Sequence, residues 1–319
     1  MPIQYVTDLA KNAMGGTELM AKGLEERLDP KLLDKFNIIP SRVRTIDNNR
    51  INILWLHDLP GDPESDHLRN GGYNKFEKLV FVSNWQMQNY IQYYGIPWYK
   101  CVVIENAIEP VTFVDKPTDG KINFIYHTTP HRGLQILVPV FKQLAEKYPN
   151  IHLDVYSSFK IYGWEDRDKP YEPLFEMIKE NSNMTYHGTV SNSEVKNALQ
   201  KAHCFAYPSI WMETSCIALI EAMSAGCLCV HPNLAALSET ASRWTWMYQY
   251  HEDTRDHAQQ LYGMLEGAAQ ELANPNAALQ NSLNNQRHYT KMFFSWETRS
   301  IQWDSFLRSI LARKNISID

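Results

Sequence analysis

Cysteine is scarce and unpaired in this chain: five residues, at 101, 204, 216, 227 and 229, with no CxxC among them. An odd count without paired spacing excludes a disulfide-stapled secreted scaffold. Cys227 and Cys229 would share one face of a strand, but zinc would need two further ligands nearby. The expectation is reduced, packed thiols in a cytoplasmic protein. Lys and Arg form no basic run, and 31 of them against 36 Asp and Glu leave a net charge of −5. The electrostatic footprint of a nucleic-acid binder is therefore missing. No stretch approaches the roughly 18 apolar residues that cross a bilayer. No transmembrane segment is expected, and peripheral membrane contact stays open. The opening MPIQYVTDLAKNAMGG lacks the apolar core of a signal peptide. No GxGxxG follows a strand, which counts against a nicotinamide dehydrogenase.

What the chain does have is short apolar runs: INILWLHD (51–58), KLVFVS (78–83), CVVIEN (101–106), INFIYHT (122–128), IHLDVYS (151–157), HCFAYPS (203–209) and CLCVHP (227–232). They are β-rich and do not alternate, as parallel strands buried on both faces do. Helical patterns lie between them, among them GTELMAKGLEERL, SNWQMQNYIQYYG and NSEVKNALQKA. This alternation predicts an α/β fold with doubly wound sheets. Pro110, Pro117 and Gly120 mark a linker over 108–123. It separates a domain over 1–112 from one over 118–294. An amphipathic helix over 295–319, N-capped by Ser295, is expected to pack back on the first domain. The segment from Leu28 to Asn52 reads as short of a βα unit.

The stretch PSIWMETSCIALIEAMSAGCLCV, near position 210, carries two glutamates, Glu213 and Glu221. A helix from Cys216 to Ala225 is predicted, with Gly226 just past its end. Eight helical residues rise about 12 Å, whereas the carboxylates of retaining glycosidases stand about 5–5.5 Å apart. The pair suits two ends of one ligand better than one bond. The N–H groups of Thr214, Ser215 and Cys216 would open a helix N-terminus just past a strand, where phosphate is attracted. Open α/β sheets hold ligands at that edge. A nucleoside-diphosphate sugar fits.

These residues resemble the signature of retaining GT-B glycosyltransferases of the family-4 type: Pro-Ser, then Glu, seven residues, Glu-Ala-Met, a small residue and Gly. The resemblance implies two Rossmann-like domains facing a central cleft that holds the donor. It implies that Glu213 contacts the donor-sugar hydroxyls and that Glu221 holds the ribose. Thr214, Ser215 and Cys216 stand where the family has Gly-Phe-Gly. Gly15 and Gly16 match a Gly-Gly turn that faces the donor phosphate, and Thr17 and Glu18 continue that match. His57 matches a histidine that contacts the donor sugar. In FIYHTTPHRGLQIL, Arg132-Gly133 matches a Lys-Gly whose cation binds the diphosphate, while His127 falls where the family has an Arg. Lys160 is a candidate substitute for that second cation. YHGTV, with Gly188, resembles the segment whose backbone meets the nucleobase.

The resemblance implies sugar transfer from a nucleoside-diphosphate sugar, with UDP favoured and GDP open, to a glycan, lipid or other hydroxyl, retaining the anomeric configuration. Glycan or lipid-linked acceptors are the expected partners, with no nucleic acid. No cofactor and no metal are expected. The DRD at 166–168 has the shape of a metal-binding DxD but lies in a polar loop far from the motif. Two alternatives stand beside this reading: a sugar-nucleotide-binding module without turnover, and a nucleotide-sugar epimerase on the same fold.

Overall fold

Strand-forming runs rich in Ile, Val, Leu and Phe pair in parallel in both parts of the chain. The computed structural model describes Ile3 and residues 15–318. The reading of the N-terminus as free of a signal core falls, Ile3 aside, outside the described residues. The chain divides into two compact units, Met1–Ile108 with Phe293–Asp319, and Glu109–Met292.

The first unit carries α1 (Gly16–Glu25), α2 (Pro30–Leu33), β1 (Phe36–Pro40), β2 (Ile51–Leu56), β3 (Lys78–Phe81), α3 (Asn84–Tyr94) and β4 (Cys101–Val103). Its sheet runs β1-β2-β3-β4, and every pair is parallel. The segment read as short of a βα unit has no helix between β1 and the parallel β2, but α2, N-capped by Asp29, precedes the fully buried β1. Its five residues end in a proline, so too little pattern announces it. Ser83 caps α3, and Gly95, at φ 67°, ends it in the left-handed conformation that glycine adopts without penalty.

The second unit carries β5 (Ile122–Tyr126), α4 (Leu134–Lys147), β6 (Ile151–Val155), α5 (Glu172–Lys179), β7 (Met184–Tyr186), α6 (Asn192–Lys201), β8 (Cys204–Ala206), α7 (Ile217–Ser224), β9 (Leu228–Pro232), α8 (Leu237–Ala241), β10 (Trp246–Tyr248), α9 (Thr254–Ala273) and α10 (Ala277–Phe294). Its parallel sheet runs β10-β9-β8-β5-β6-β7. The strand order reverses between β5 and β8, which pair directly through Phe124–Cys204 and Ile125–Phe205. Phe124, Phe141, Phe205 and Tyr207 fill the core there, with Phe124 and Phe141 edge to face at 5.3 Å. Each such buried side chain contributes about 1.5–3 kcal/mol.

The last helix, α11 (Trp296–Lys314), belongs to the first unit, and Ser295 caps it by accepting from the Thr298 N–H. Trp296, Trp303, Leu307, Ile310 and Leu311 are its buried stripe. Trp296 lies against α1 at Gly23, where a Cβ would sit 2.1 Å from the indole.

The predicted strands run past the observed ones at their carboxyl ends. His57-Asp58, His127-Thr128 and Tyr207–Ser209 leave the ladders. Each group sits at the carboxyl edge of its own unit's sheet, the edge where open α/β sheets bind ligands.

Candidate functional site

Because β5 and β8 are neighbours and parallel, the loops leaving their carboxyl ends meet. The first loop forms a 3-10 turn over Pro130–Arg132 and then Gly133, at φ 118°. A Cβ on Gly133 would lie 2.1 Å from the Pro208 carbonyl oxygen of the second loop. Glycine is thus demanded twice there, by the dihedral and by the close approach. It brings Arg132 against the loop that carries Glu213.

Arg132 Nη1 forms an ion pair with Glu213 Oε1, and the same oxygen accepts from the Tyr207 hydroxyl. Arg132 Nε donates to Thr129 Oγ1 at 3.2 Å, and the Thr129 carbonyl accepts from Tyr126 Oη at 2.9 Å. Glu213 is 6% exposed. Burial works against the charge on Arg132, but the Glu213 carboxylate outweighs it and holds the guanidinium protonated well above its ordinary range. The Tyr207 hydroxyl is driven well up, first by burial and then by Glu213, so it stays a donor. The Glu213 carbonyl accepts from Ala236 N at 3.1 Å, which ties the loop to the segment before α8. Ser209 Oγ closes the turn on Trp211. Trp211, 43% exposed, meets the His131 ring edge-on at 4.9 Å, and His131 stacks on Phe159 at 5.1 Å.

Glu221 sits on α7, 6% exposed, and accepts from Asn192 Nδ2 at 3.2 Å. Burial raises its carboxyl pKa, opposed by the Lys196 charge and by Asn192. Asn192 opens α6 behind a capping box of Ser191 and Glu194. The loop before it contains Gly188, at φ 68°.

The predicted helix start shifts by one residue. Cys216 is the N-cap and Ile217 the first helical residue. The four helix donors without intrahelical partners are therefore those of 216–219. Thr214 and Ser215 lie in the loop before, so of the three expected N–H groups only that of Cys216 belongs to the helix end. The Cys216 thiol is buried, and burial pushes its pKa up.

His127 is not a second cation. Burial takes its pKa down to about 4, and its ring packs on Phe205 at 4.9 Å. Lys160 stands on an exposed turn, with Nζ 3.5 Å from Glu165. In the DRD, Asp168 accepts from Ser158 Oγ and from Phe159 N, and Asp166 pairs with Lys169 at 2.9 Å. These carboxylates hold a turn together. Among the described residues no group of three His, Cys, Asp or Glu side chains could hold a metal ion. Among them, too, no helix is long and apolar enough to cross a membrane.

In the first unit, His57 follows β2. Its N–H donates to Ser41 Oγ at 2.9 Å, and its ring lies 4.7 Å from Trp55. Burial lowers the ring pKa to about 3, so the imidazole is neutral at neutral pH. The Asp58 carboxyl is raised by burial and by Asp62, opposed by the hydrogen bond it accepts from Ser41. Gly15 is the N-cap of α1 with φ −69°, an ordinary extended conformation, and Gly16 begins the helix. Glu18, in the first turn, is raised by burial and held by the N–H groups of Glu18 and Gly15.

The structure thus joins Arg132 to Glu213, and Glu221 to Asn192 at the start of α6. Sequence reasoning missed Tyr207, Thr129, His131 and Asn192. Tyr207 was legible only as the last residue before Pro-Ser, and nothing in sequence connects Asn192 to Glu221.

Residues 112–260 match the family model of glycosyl transferases group 1. A phosphatidylinositol N-acetylglucosaminyltransferase polypeptide of Arabidopsis thaliana, one component of that enzyme, is 25% identical over 170 residues, 51% of this chain and 36% of that protein. The match thus spans about a third of that relative's length. Among solved structures, a glycosyltransferase from Rickettsia africae ESF-5 aligns with a TM-score of 0.70 at 16% identity, covering 97% of this chain and 84% of that one. Anabaena HepE, solved in complex with UDP-glucose, aligns with a TM-score of 0.64 at 15% identity, covering 91% and 82%. At such identities the likeness is one of fold: two Rossmann-like units, as in GT-B glycosyltransferases.

Proposed function

We propose, from the match of residues 112–260 to the glycosyl transferases group 1 model, that the protein transfers a sugar from a nucleoside-diphosphate sugar to a hydroxyl acceptor with retention of configuration. The observation that carries the reading is the Arg132–Glu213–Tyr207 cluster at the reversal of strand order, with buried Glu221 on the helix that follows. Two of the three guanidinium nitrogens of Arg132 are held, by Glu213 and Thr129. Its Nη2 is the group proposed for the diphosphate, where it would stabilise charge developing on the leaving group. The helix donors at 216–219 would add to it. Glu213, fixed by Arg132 and Tyr207, would accept from donor-sugar hydroxyls. Glu221 would accept from the ribose, with Asn192 orienting it. Gly188 would lie against the base, a role that rests on the motif match alone. The roles of His57, Gly15 and Gly16 rest on the motif match alone. A neutral His57 suits a contact to a sugar hydroxyl or carbonyl better than one to phosphate.

A uridine donor is supported by the UDP-glucose in the HepE complex. A lipid-linked acceptor is supported by the name of the Arabidopsis relative. No metal enters the proposed mechanism. The test is thermal stability with UDP, GDP, ADP and NAD, each with and without EDTA, on the wild type and on Glu221→Ala. Ligand at about 100 times its Kd adds roughly 2.7 kcal/mol. The expected result is a shift with one nucleoside diphosphate, indifferent to EDTA and lost in the variant. A shift with NAD alone, or with none of the four, overturns the reading. NMR of the anomeric proton on turnover then reports retention, and binding without turnover would leave a sugar-nucleotide-binding module.

A further inference from the structure

The edge of the first unit's sheet opposite His57, where the strands begin, collects positive charge. A pocket of about 250 Å³ there is lined by Arg50, Lys75, Lys100 and Lys314 together with Asn52 and Asn74. Lys78 and Arg313 adjoin it: burial, Arg313 and Lys100 together depress the Lys78 pKa. Six cations thus face a few carboxylates. Glu77 pairs with Lys314 at 2.9 Å, and Asp34 and Asp47 reach Arg50 at 3.8 and 3.6 Å. This is a concentrated exception in a chain whose net charge is −5.

Beside these cations the chain exposes aromatic surface. The 3-10 turn Trp98–Lys100 leads into β4, and Trp98 and Tyr99 are 67% and 68% exposed. The turn is rigidly seated: Lys78 Nζ donates to the Tyr99 carbonyl, and Lys100 Nζ to the Phe76 carbonyl at 2.7 Å. Two large aromatic rings held in water cost hydration free energy unless something covers them. Trp and Tyr with Lys and Arg at their feet are the residues that settle at a lipid headgroup boundary, rings among the acyl glycerols and cations on the phosphates.

We propose that this edge, with Trp98 and Tyr99 as wedge and the Arg50–Lys75–Lys100–Lys314 pocket with Lys78 and Arg313 as cationic seat, docks the protein on membranes of anionic phospholipid. Charge complementarity commits the occupant to phosphate headgroups, and the exposed rings commit it to headgroups in a bilayer.

The test is sedimentation of the full chain with vesicles of phosphatidylcholine alone and of phosphatidylcholine mixed with phosphatidylglycerol. Binding is expected only to the mixed vesicles and should be released by high salt. Each exposed cation removed, Lys75→Gln or Arg313→Gln, should weaken partitioning about five-fold. The double variant Trp98→Ser/Tyr99→Ser should weaken it further while its thermal unfolding matches the wild type, since both rings are largely solvated. Equal binding to neutral vesicles, or charge variants that bind as the wild type does, would overturn the proposal. So would loss of binding in the charge variants with no effect of the aromatic pair, which would make the edge a general polyanion site. An ion site is tested by inorganic phosphate alone. If phosphate stabilises the protein and vesicles do not bind, the pocket holds a free anion and the docking face is refuted.

Discussion

Replacing Glu221 by Gln separates a ligand-holding carboxylate from a structural one, because the two readings predict opposite signs. Glu221 is 6% exposed, its hydrogen bond comes from neutral Asn192, and Lys196 acts on it only at longer range. Burial raises its pKa above the ordinary 4.5. A carboxyl so raised contributes stability that is fully present below its unfolded value. That contribution is lost as pH rises through the folded value. Each pKa unit of the shift is therefore worth about 1.4 kcal/mol of instability at neutral pH. Gln keeps the oxygen that Asn192 donates to and has no charge to desolvate. The variant should be more stable than the wild type at neutral pH. The gain should shrink towards zero as pH falls below about 4, near the ordinary carboxylate value. Urea unfolding over that pH range, followed by tryptophan fluorescence, measures it. The cost should appear in binding. A hydrogen bond to a carboxylate is worth roughly 1 kcal/mol more than one to an amide, so nucleoside-diphosphate affinity by calorimetry should fall several-fold to about ten-fold. A destabilised Glu221→Gln with unchanged affinity would refute the argument and leave Glu221 a structural residue.

The Arg132–Glu213 pair predicts strong coupling. Glu213→Ala strands a guanidinium that is only 21% exposed and should cost up to about 3–5 kcal/mol, whereas Arg132→Met/Glu213→Leu should recover much of that in a double-mutant cycle while remaining inactive. Arg132→Lys should keep the charge but lose the planar fork, lowering kcat/KM about 100-fold at little cost in unfolding free energy, as steady-state kinetics beside urea melts would show. Gly133→Ala meets the Pro208 carbonyl at 2.1 Å at a left-handed φ, so it should lose at least about 1–3 kcal/mol of stability and activity with it. Gly23→Ala is a helix substitution that ordinarily gains about 0.5–1 kcal/mol. Here the Trp296 indole lies 2.1 Å from the new methyl, and a loss of about 1–3 kcal/mol is expected in thermal unfolding.

Periodicity and composition were enough for the α/β class, the helix with Ser295 at its cap and the short helix ending before Gly226, because these depend on local pattern and on backbone conformations that few residues adopt. The place of Glu221 on that helix was legible for the same reason, whereas Glu213 lies in the loop before the Cys216 N-cap, where no helical period fixes its distance from Glu221. The strand ends were not legible, since His57, His127 and Tyr207 carry strand propensity but leave the ladder to line the ligand edge. The three-residue β7 and β10 and the proline-ended β1 gave too few residues for a period to register.

Tertiary structure alone decided the chemistry of the site. The sequence assigned Arg132 to a diphosphate and Glu213 to a sugar as separate contacts. Adjacency of β5 and β8, 80 residues apart in the chain at the Asn123–His203 hydrogen bond, makes them one ion pair with Tyr207 on the same oxygen. Burial, which no spacing reveals, left His127 and His57 neutral and raised Glu221. Sequence set which groups were available; the order of strands in the sheet set which of them touch, because a contact between distant residues exists only once the chain has crossed over and the low-dielectric interior has closed around it.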